Sequence, residues 1–159
     1  MSQMTDPHVG LISFQEAFSD GRIQPTPCAK QPQLVILHDD AEGTSRLTYA
    51  LIENGVVKAM AVYVNVEPIN GVPCFGLGYA VAKPFRKQGL AYDIVEASID
   101  EIGYGFRKHL PQFYVEAIVS VDNLASNKVA LRLLNDKPDS ITDKLSGEPA
   151  FHYIRLIKH

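Results

Sequence analysis

The stretch AKPFRKQGLAYDI, residues 82–94, sets two cations, Arg86 and Lys87, beside a lone glycine, Gly89. Upstream, VPCFGLGYAVA (72–82) reads as a strand interrupted by Gly76 and Gly78, where glycine marks a bulge or a close backbone approach, and ended by Pro84. Downstream, Ala91, Ile94, Val95, Ser98, Ile102 and Phe106 recur at helical spacing, with Asp93, Glu96 and Asp100 on the opposite side. That pattern predicts an amphipathic helix from Gly89 to about Lys108. A helix N-terminus offers unpaired N–H groups and the positive end of the macrodipole, so this junction can seat a phosphate where glycine lets the backbone approach. The same R-x-x-G-x-A pattern also occurs in ordinary turns with solvated cations, and spacing alone leaves both readings open. It is neither a Walker loop nor a dinucleotide fingerprint, because GxxxxGK[ST] and the three glycines of GxGxxG are missing.

Working outward, QLVILHD (33–39) is a compact apolar run, and RLTYALIENGVVKAMAVYVNV (46–66) is two strand-like runs meeting at Asn54-Gly55. That dipeptide suits the positive φ positions of a type I′ hairpin turn. In the second arm Lys58, Met60, Val62 and Val64 fall on one face and Val57, Ala59, Ala61 and Tyr63 on the other, so an interior strand is expected. FYVEAIVSV (113–121) alternates, with Phe113, Val115, Ala117, Val119 and Val121 on one face and Tyr114, Glu116, Ile118 and Ser120 on the other. DNLASNKVALRLLN (122–135) opens with capping residues and continues as a helix, and AFHYIRLI (150–157) reads as a closing strand. Between them, NDKPDSITDKLSGEP (135–149) reads as a loop with one short strand. Near the start, SFQEAFSDG (13–21) reads as a short helix and the proline-rich IQPTPCAKQPQ (23–33) as a loop. Antiparallel strands, a helix, a strand, a helix and final strands make an α+β chain.

The 159 residues suit one domain spanning 1–159. Hydrophobic content of 46% and charged content of 21% match an ordinary globular protein and exclude a disordered or fibrous class. A net charge of −3 supplies no broad basic field, so nucleic acid is not expected as a partner. MSQMTDPHVG carries no signal-peptide pattern and no stretch is long enough for a membrane span, which places the expected location in the cytoplasm without a membrane partner. Cys28 and Cys74 lack CxxC spacing, and His8, His38, His109, His152 and His159 form no HxH or HExxH pattern, so no metal site is expected.

GYAVAKPFRKQGLAYDIV (78–95) followed by VEAIVSVDNLASNKVALRLL (115–134) resembles the GCN5-related N-acetyltransferase (GNAT) superfamily, whose signature is Q/R-x-x-G-x-G/A. Arg86, Gly89 and Ala91 match it, within an acyl-coenzyme A-binding core of residues 76–134 that follows a variable N-terminal segment, 1–32. The resemblance implies a GNAT-like α+β fold with a central, twisted, mostly antiparallel sheet of six to seven strands and helices on both faces. It implies acetyl-coenzyme A as acyl donor, with its pyrophosphate on the backbone of Lys87, Gln88, Gly89, Leu90, Ala91 and Tyr92, Arg86 adding charge. The pantetheine arm would pair with the main chain of Tyr79, Ala80 and Val81, made available by a bulge near Gly78–Tyr79. Asn123 matches the family's asparagine near the pantetheine, and an asparagine there is equally an N-cap.

The implied reaction is transfer of acetyl to a primary amine by direct attack on the thioester. An α-amine titrates near ~8 and a lysine near ~10.4, so a base or a desolvating pocket is needed at neutral pH. Glu116 stands where the branch resembling ribosomal-protein alanine acetyltransferases carries a glutamate, and Ser126 matches a serine of that branch and is a candidate proton donor. Many members carry a tyrosine as general acid where this chain has Ala130, and Leu134-Asn135 replaces the usual Gly-Phe. A non-catalytic acyl-coenzyme A-binding module is therefore the alternative. The acceptor pocket is expected in 8–32 and 135–149, and the strand AFHYIRLI offers an edge to a second copy in a homodimer.

Overall fold

A computed structural model describes residues 6–41 and 43–158. The first five residues of MSQMTDPHVG, the stretch read for a signal-peptide pattern, and His159 lie outside them. In chain order the elements are α1 (Pro7–Ser19), β1 (Thr26–Pro27), β2 (Leu34–Ala41), β3 (Thr44–Glu53), β4 (Val56–Ile69), β5 (Val72–Val81), α2 (Leu90–Phe106), β6 (Gln112–Ser120), α3 (Leu124–Leu133), β7 (Asp139–Thr142) and β8 (Pro149–Lys158). The strands form one eight-stranded sheet in the order β1-β2-β3-β4-β5-β6-β8-β7, antiparallel throughout except for β5 and β6. The count exceeds six to seven because Thr26–Pro27, expected as loop, makes a two-residue bridge to β2. The closing strand β8 is not the edge at its start: β7 pairs with it over Pro149–His152. No helix among the described residues is long and apolar enough to cross a membrane.

The hairpin turns at Asn54 and Gly55, both at positive φ, +52° and +78°, as a type I′ turn requires. Beyond it the register slips, with Leu51 opposite Ala59 but Ile52 opposite Val57. Lys58 is the extra residue of a bulge, which moves Val57 onto the face of Met60 and away from Ala59, Ala61 and Tyr63, against the simple alternation. Val57 and Met60 pack with Ala50 under Leu11 and Phe14 of α1. On the opposite face, α2 buries Ile94, Val95, Ile99 and Ile102 against Ala59, Ala61, Tyr63, Phe75 and Leu77.

Helix α1 starts six residues before the expected short helix because Asp6 caps it, accepting from the His8 N–H at 3.0 Å, with Pro7 in the first turn. This Asp-Pro start is a helix signal in its own right. The Gln15 side chain bolts α1 to the hairpin: Oε1 accepts from the Val57 N–H at 2.7 Å and Nε2 donates to the Gly55 carbonyl at 3.0 Å.

The proline-rich segment is pinned by one side chain. Glu101 of α2 is 6% exposed, and its carboxylate accepts from the N–H groups of Ala29, Lys30 and Gln31 at 2.9–3.3 Å. Beside it, Lys30 and Gln31 donate to Asp100 and hold that carboxyl below its ordinary range. Glu101→Ala should destabilise the protein by about 2–3 kcal/mol, because several charge-assisted hydrogen bonds are lost together. Urea unfolding, with amide exchange at Ala29–Gln31, measures this.

Candidate functional site

Strands β5 and β6 pair in parallel at three positions, Cys74 with Tyr114, Phe75 with Val115 and Gly76 with Glu116, and then part. The expected bulge near Gly78–Tyr79 is not there: β5 keeps one unbroken register with β4 from Ala59 opposite Val81 to Val66 opposite Cys74. The gap opens because each strand follows its outer neighbour, β5 along β4 and β6 along β8, for nearly its full length. The Ala82 N–H donates to the Lys58 carbonyl at 2.9 Å, continuing that register. Hydrogen-bonded pairs alternate along an antiparallel ladder, so Ala80 and Gly78 bond to β4 while the main-chain groups of Tyr79 and Val81 turn toward the gap.

The gap is a cleft of about 780 Å³. Both faces of both strands line it, Leu77 with Gly78 on β5 and Ala117 with Ile118 on β6, so it passes through the sheet. One wall carries α2 and α3, and the rim includes Asp6 and His8 of α1.

The turn at residues 86–92 closes one end of this cleft. Lys87 (φ +65°) and Gly89 (φ +77°) both take left-handed backbone, and the first α2 bond runs from the Asp93 N–H to the Gly89 carbonyl at 3.2 Å. The N–H groups of Leu90, Ala91 and Tyr92 precede that bond and have no partner within the helix, the arrangement an anion needs. Gly89 is required for its φ and not for lack of room within the protein, since a Cβ there would meet nothing within 4 Å. Arg86 is anchored, with Nε donating to the Val81 carbonyl at 3.1 Å and Nη2 3.3 Å from His8 Nδ1, which ties the turn to β5 and α1.

Of the residues singled out in the sequence, Tyr79, Ala80, Val81, Arg86, Lys87, Gly89, Leu90, Ala91, Tyr92, Asn123 and Ser126 line the cleft, whereas Gln88 and Glu116 do not. Asn123 is the N-cap of α3, its Oδ1 accepting from the Ser126 N–H at 3.1 Å. The Ser126 carbonyl accepts from the Tyr79 hydroxyl at 2.7 Å, and burial pushes the Tyr79 phenol up. Ala130 is buried among the core residues. Sequence reasoning missed Asn127. Its Nδ2 donates to the carbonyls of Ser120 and Asn123, both at 2.9 Å, and its Oδ1 accepts from the Tyr153 hydroxyl at 2.6 Å. It locks the start of α3 to the end of β6 and the middle of β8, and only a buried asparagine inside a helical pattern hints at it.

Glu116 sits on the last paired rung, one residue before the cleft begins, and shares a face with Ile118, which is 49% exposed. Its Oε1 is 2.6 Å from His152 Nε2 of β8, a partner that no spacing in the sequence reveals. The hydrogen bond to Glu116 raises the His152 pKa above its ordinary value, against the opposing effect of burial. Cys74, on the neighbouring strand, has its thiol pushed up to about 12 by burial and by the Glu116 charge, so it stays neutral.

The chain aligns with a ribosomal L7/L12 alpha-N-protein acetyltransferase in complex with coenzyme A at a TM-score of 0.52 and 24% identity, over 70% of this chain and 62% of that one. It aligns with an acetyltransferase of the GNAT family from Streptococcus pneumoniae at 0.54 and 13%, over 70% and 66%. The fold is that of the GNAT acetyltransferases. A ribosomal-protein-S5-alanine acetyltransferase from Vibrio fischeri shares this GNAT fold at 0.53 and 14%, over 70% and 61%. The chain spans less than two thirds of the length of each of these proteins. Neither a protein-family model nor a curated protein sequence matches it.

Gly89→Ala should cost about 1–2 kcal/mol through its left-handed φ alone, and Gly89→Asn less, because asparagine tolerates that conformation. Thermal unfolding of the two variants measures the difference.

Proposed function

We propose that this chain is an N-acetyltransferase that moves an acetyl group from acetyl-coenzyme A to a primary amine by direct attack of the amine on the thioester. The observation that carries this reading is a cleft through the sheet, with unpaired helix N–H groups at one end and a carboxylate at the face opposite α2 and α3. The Gly89–Tyr92 backbone would take the pyrophosphate, with Lys87 and Arg86 offsetting charge, and Tyr79 and Val81 would pair with the pantetheine amides. The N–H of Val81 or of its neighbour would donate to the thioester oxygen, whose charge grows in the transition state. Glu116 would take the proton from the amine, and Ser126 is the proposed donor to the departing thiolate.

Acetyl-coenzyme A should stabilise the protein saturably, by about 2.7 kcal/mol at a hundredfold excess over its Kd. Reversing both charges in Arg86→Glu/Lys87→Glu should weaken that effect at least tenfold. A thermal-shift titration decides, and no shift at millimolar acetyl-coenzyme A would remove the donor half of the reading.

The acceptor is best sought with a panel holding an alanine-initiated peptide, free lysine, another amino acid, spermidine and an aminoglycoside, followed by thiol release. Names of proteins sharing the fold put the peptide first, since they include an alpha-N-protein acetyltransferase and a ribosomal-protein-S5-alanine acetyltransferase. Glu116→Gln should lower kcat about a hundredfold or more with little change in acetyl-coenzyme A affinity. Ala130, buried where the family pattern has its tyrosine, favours a second reading, a non-catalytic acyl-coenzyme A-binding module. Saturable binding without turnover on the whole panel would select it.

A further inference from the structure

Glu116 and His152 meet diagonally across β6 and β8: Glu116 is opposite Ile154, and Ile118 is opposite His152. Paired residues of an antiparallel ladder project to the same face, so both side chains stand on the face away from α2 and α3. They touch at 2.6 Å with side chains only 20% and 24% exposed, so solvent screens the contact weakly. The Ile118 rung lies at the cleft, which puts His152 beside its opening on that face. On β5 the same face carries Gly76 and Gly78, which place no side chain between Glu116 and the gap.

We infer that His152 is a positioning residue that holds Glu116 by Oε1 and gates it by protonation, leaving Oε2 to take the proton of the attacking amine only while His152 is neutral. The inference rests on the reading of Glu116 as the base. With His152 neutral, Nε2–H donates to Oε1 and the carboxylate is free to act at Oε2. There an N–H bond of the ammonium breaks, an O–H bond forms, and the electron pair stays on nitrogen to attack the thioester carbon. With His152 protonated, the carboxylate is held in an ion pair and is a weaker base. The other ionisable groups on this face are Tyr114 of β6, Lys158 of β8, Asp139 of β7, opposite His152, Cys74 of β5, which is neutral, and, farther along the sheet, Arg46 of β3 and Asp39 of β2, which pair with each other.

The bond raises the His152 pKa in the folded state. The pair therefore adds its full stability below about pH 6.5, the ordinary imidazole value, and loses it as pH rises through the raised value. Turnover follows the opposite course and should rise with pH over the range in which His152 deprotonates.

Three variants and two readouts test this. By NMR, the His152 ring should titrate at higher pH in the wild type than in Glu116→Gln. With the best amine of the panel, the rising limb of kcat/KM should coincide with the wild-type titration. His152→Asn keeps a donor and cannot titrate, so the limb should move to lower pH while kcat at pH 8 stays within about threefold. His152→Ala should lower kcat about tenfold and leave the KM for acetyl-coenzyme A unchanged. An equal ring titration in Glu116→Gln, or a limb unmoved in His152→Asn, overturns the gate and leaves the acetyltransferase reading standing. A wild type that binds acetyl-coenzyme A, shows the coupled titration and turns over no amine overturns both.

Discussion

Two strands that each keep a full antiparallel partner on the outside can pair with one another only while those partners run alike. Here β5 follows β4 and β6 follows β8, and the parallel ladder between them lasts three rungs before ending at Gly76 and Glu116. Everything proposed for this chain depends on that parting. It exposes main chain that would otherwise be buried in a sheet, and buried main chain must be paired. It also makes an opening through the sheet, so chemistry on one face can reach chemistry on the other.

The two faces are built differently. On the helical face, residues 86–92 combine left-handed backbone at Lys87 and Gly89 with N–H groups that have no partner within the helix, and Arg86 is braced by Val81 and His8. Asn127 fixes the far wall by joining α3 to β6 and β8. The opposite face carries few helical contacts beyond α1, and its polar groups near the opening include the Glu116–His152 pair and, on the rim, Asp6 and His8 of α1. An anion suits the first face, and in the proposed reaction the cationic amine would meet the second.

Much of this was legible in the sequence because it is local. The Asn54-Gly55 turn, the two faces of β6, the amphipathic α2, the cap at Asn123 and the glycine turn at Gly89 each follow from neighbours a few residues away. The sequence reading erred where a local rule met a tertiary constraint. Strict alternation put Val57 with Ala59, and the Lys58 bulge moved it to the other side. Two glycines suggested a bulge in β5, yet β4 holds that stretch in register. The start of α1 at Asp6-Pro7 is also a local signal, a capping aspartate followed by proline, and it extends the helix beyond its apolar stretch.

The sequence by itself determined where the long strands and the helices α2 and α3 form, which residues the regular stretches such as β6 and α2 present to either side, and that the turn at 82–94 can take an anion. Those properties come from backbone conformation and side-chain period, and both are set within one or two turns of chain. Tertiary structure alone decided where β5 and β6 separate, that Glu101 pins a loop some seventy residues away, and that Glu116 has His152 as its partner. These depend on register between strands distant in sequence, and a register is chosen by packing over the whole sheet, which no local spacing encodes.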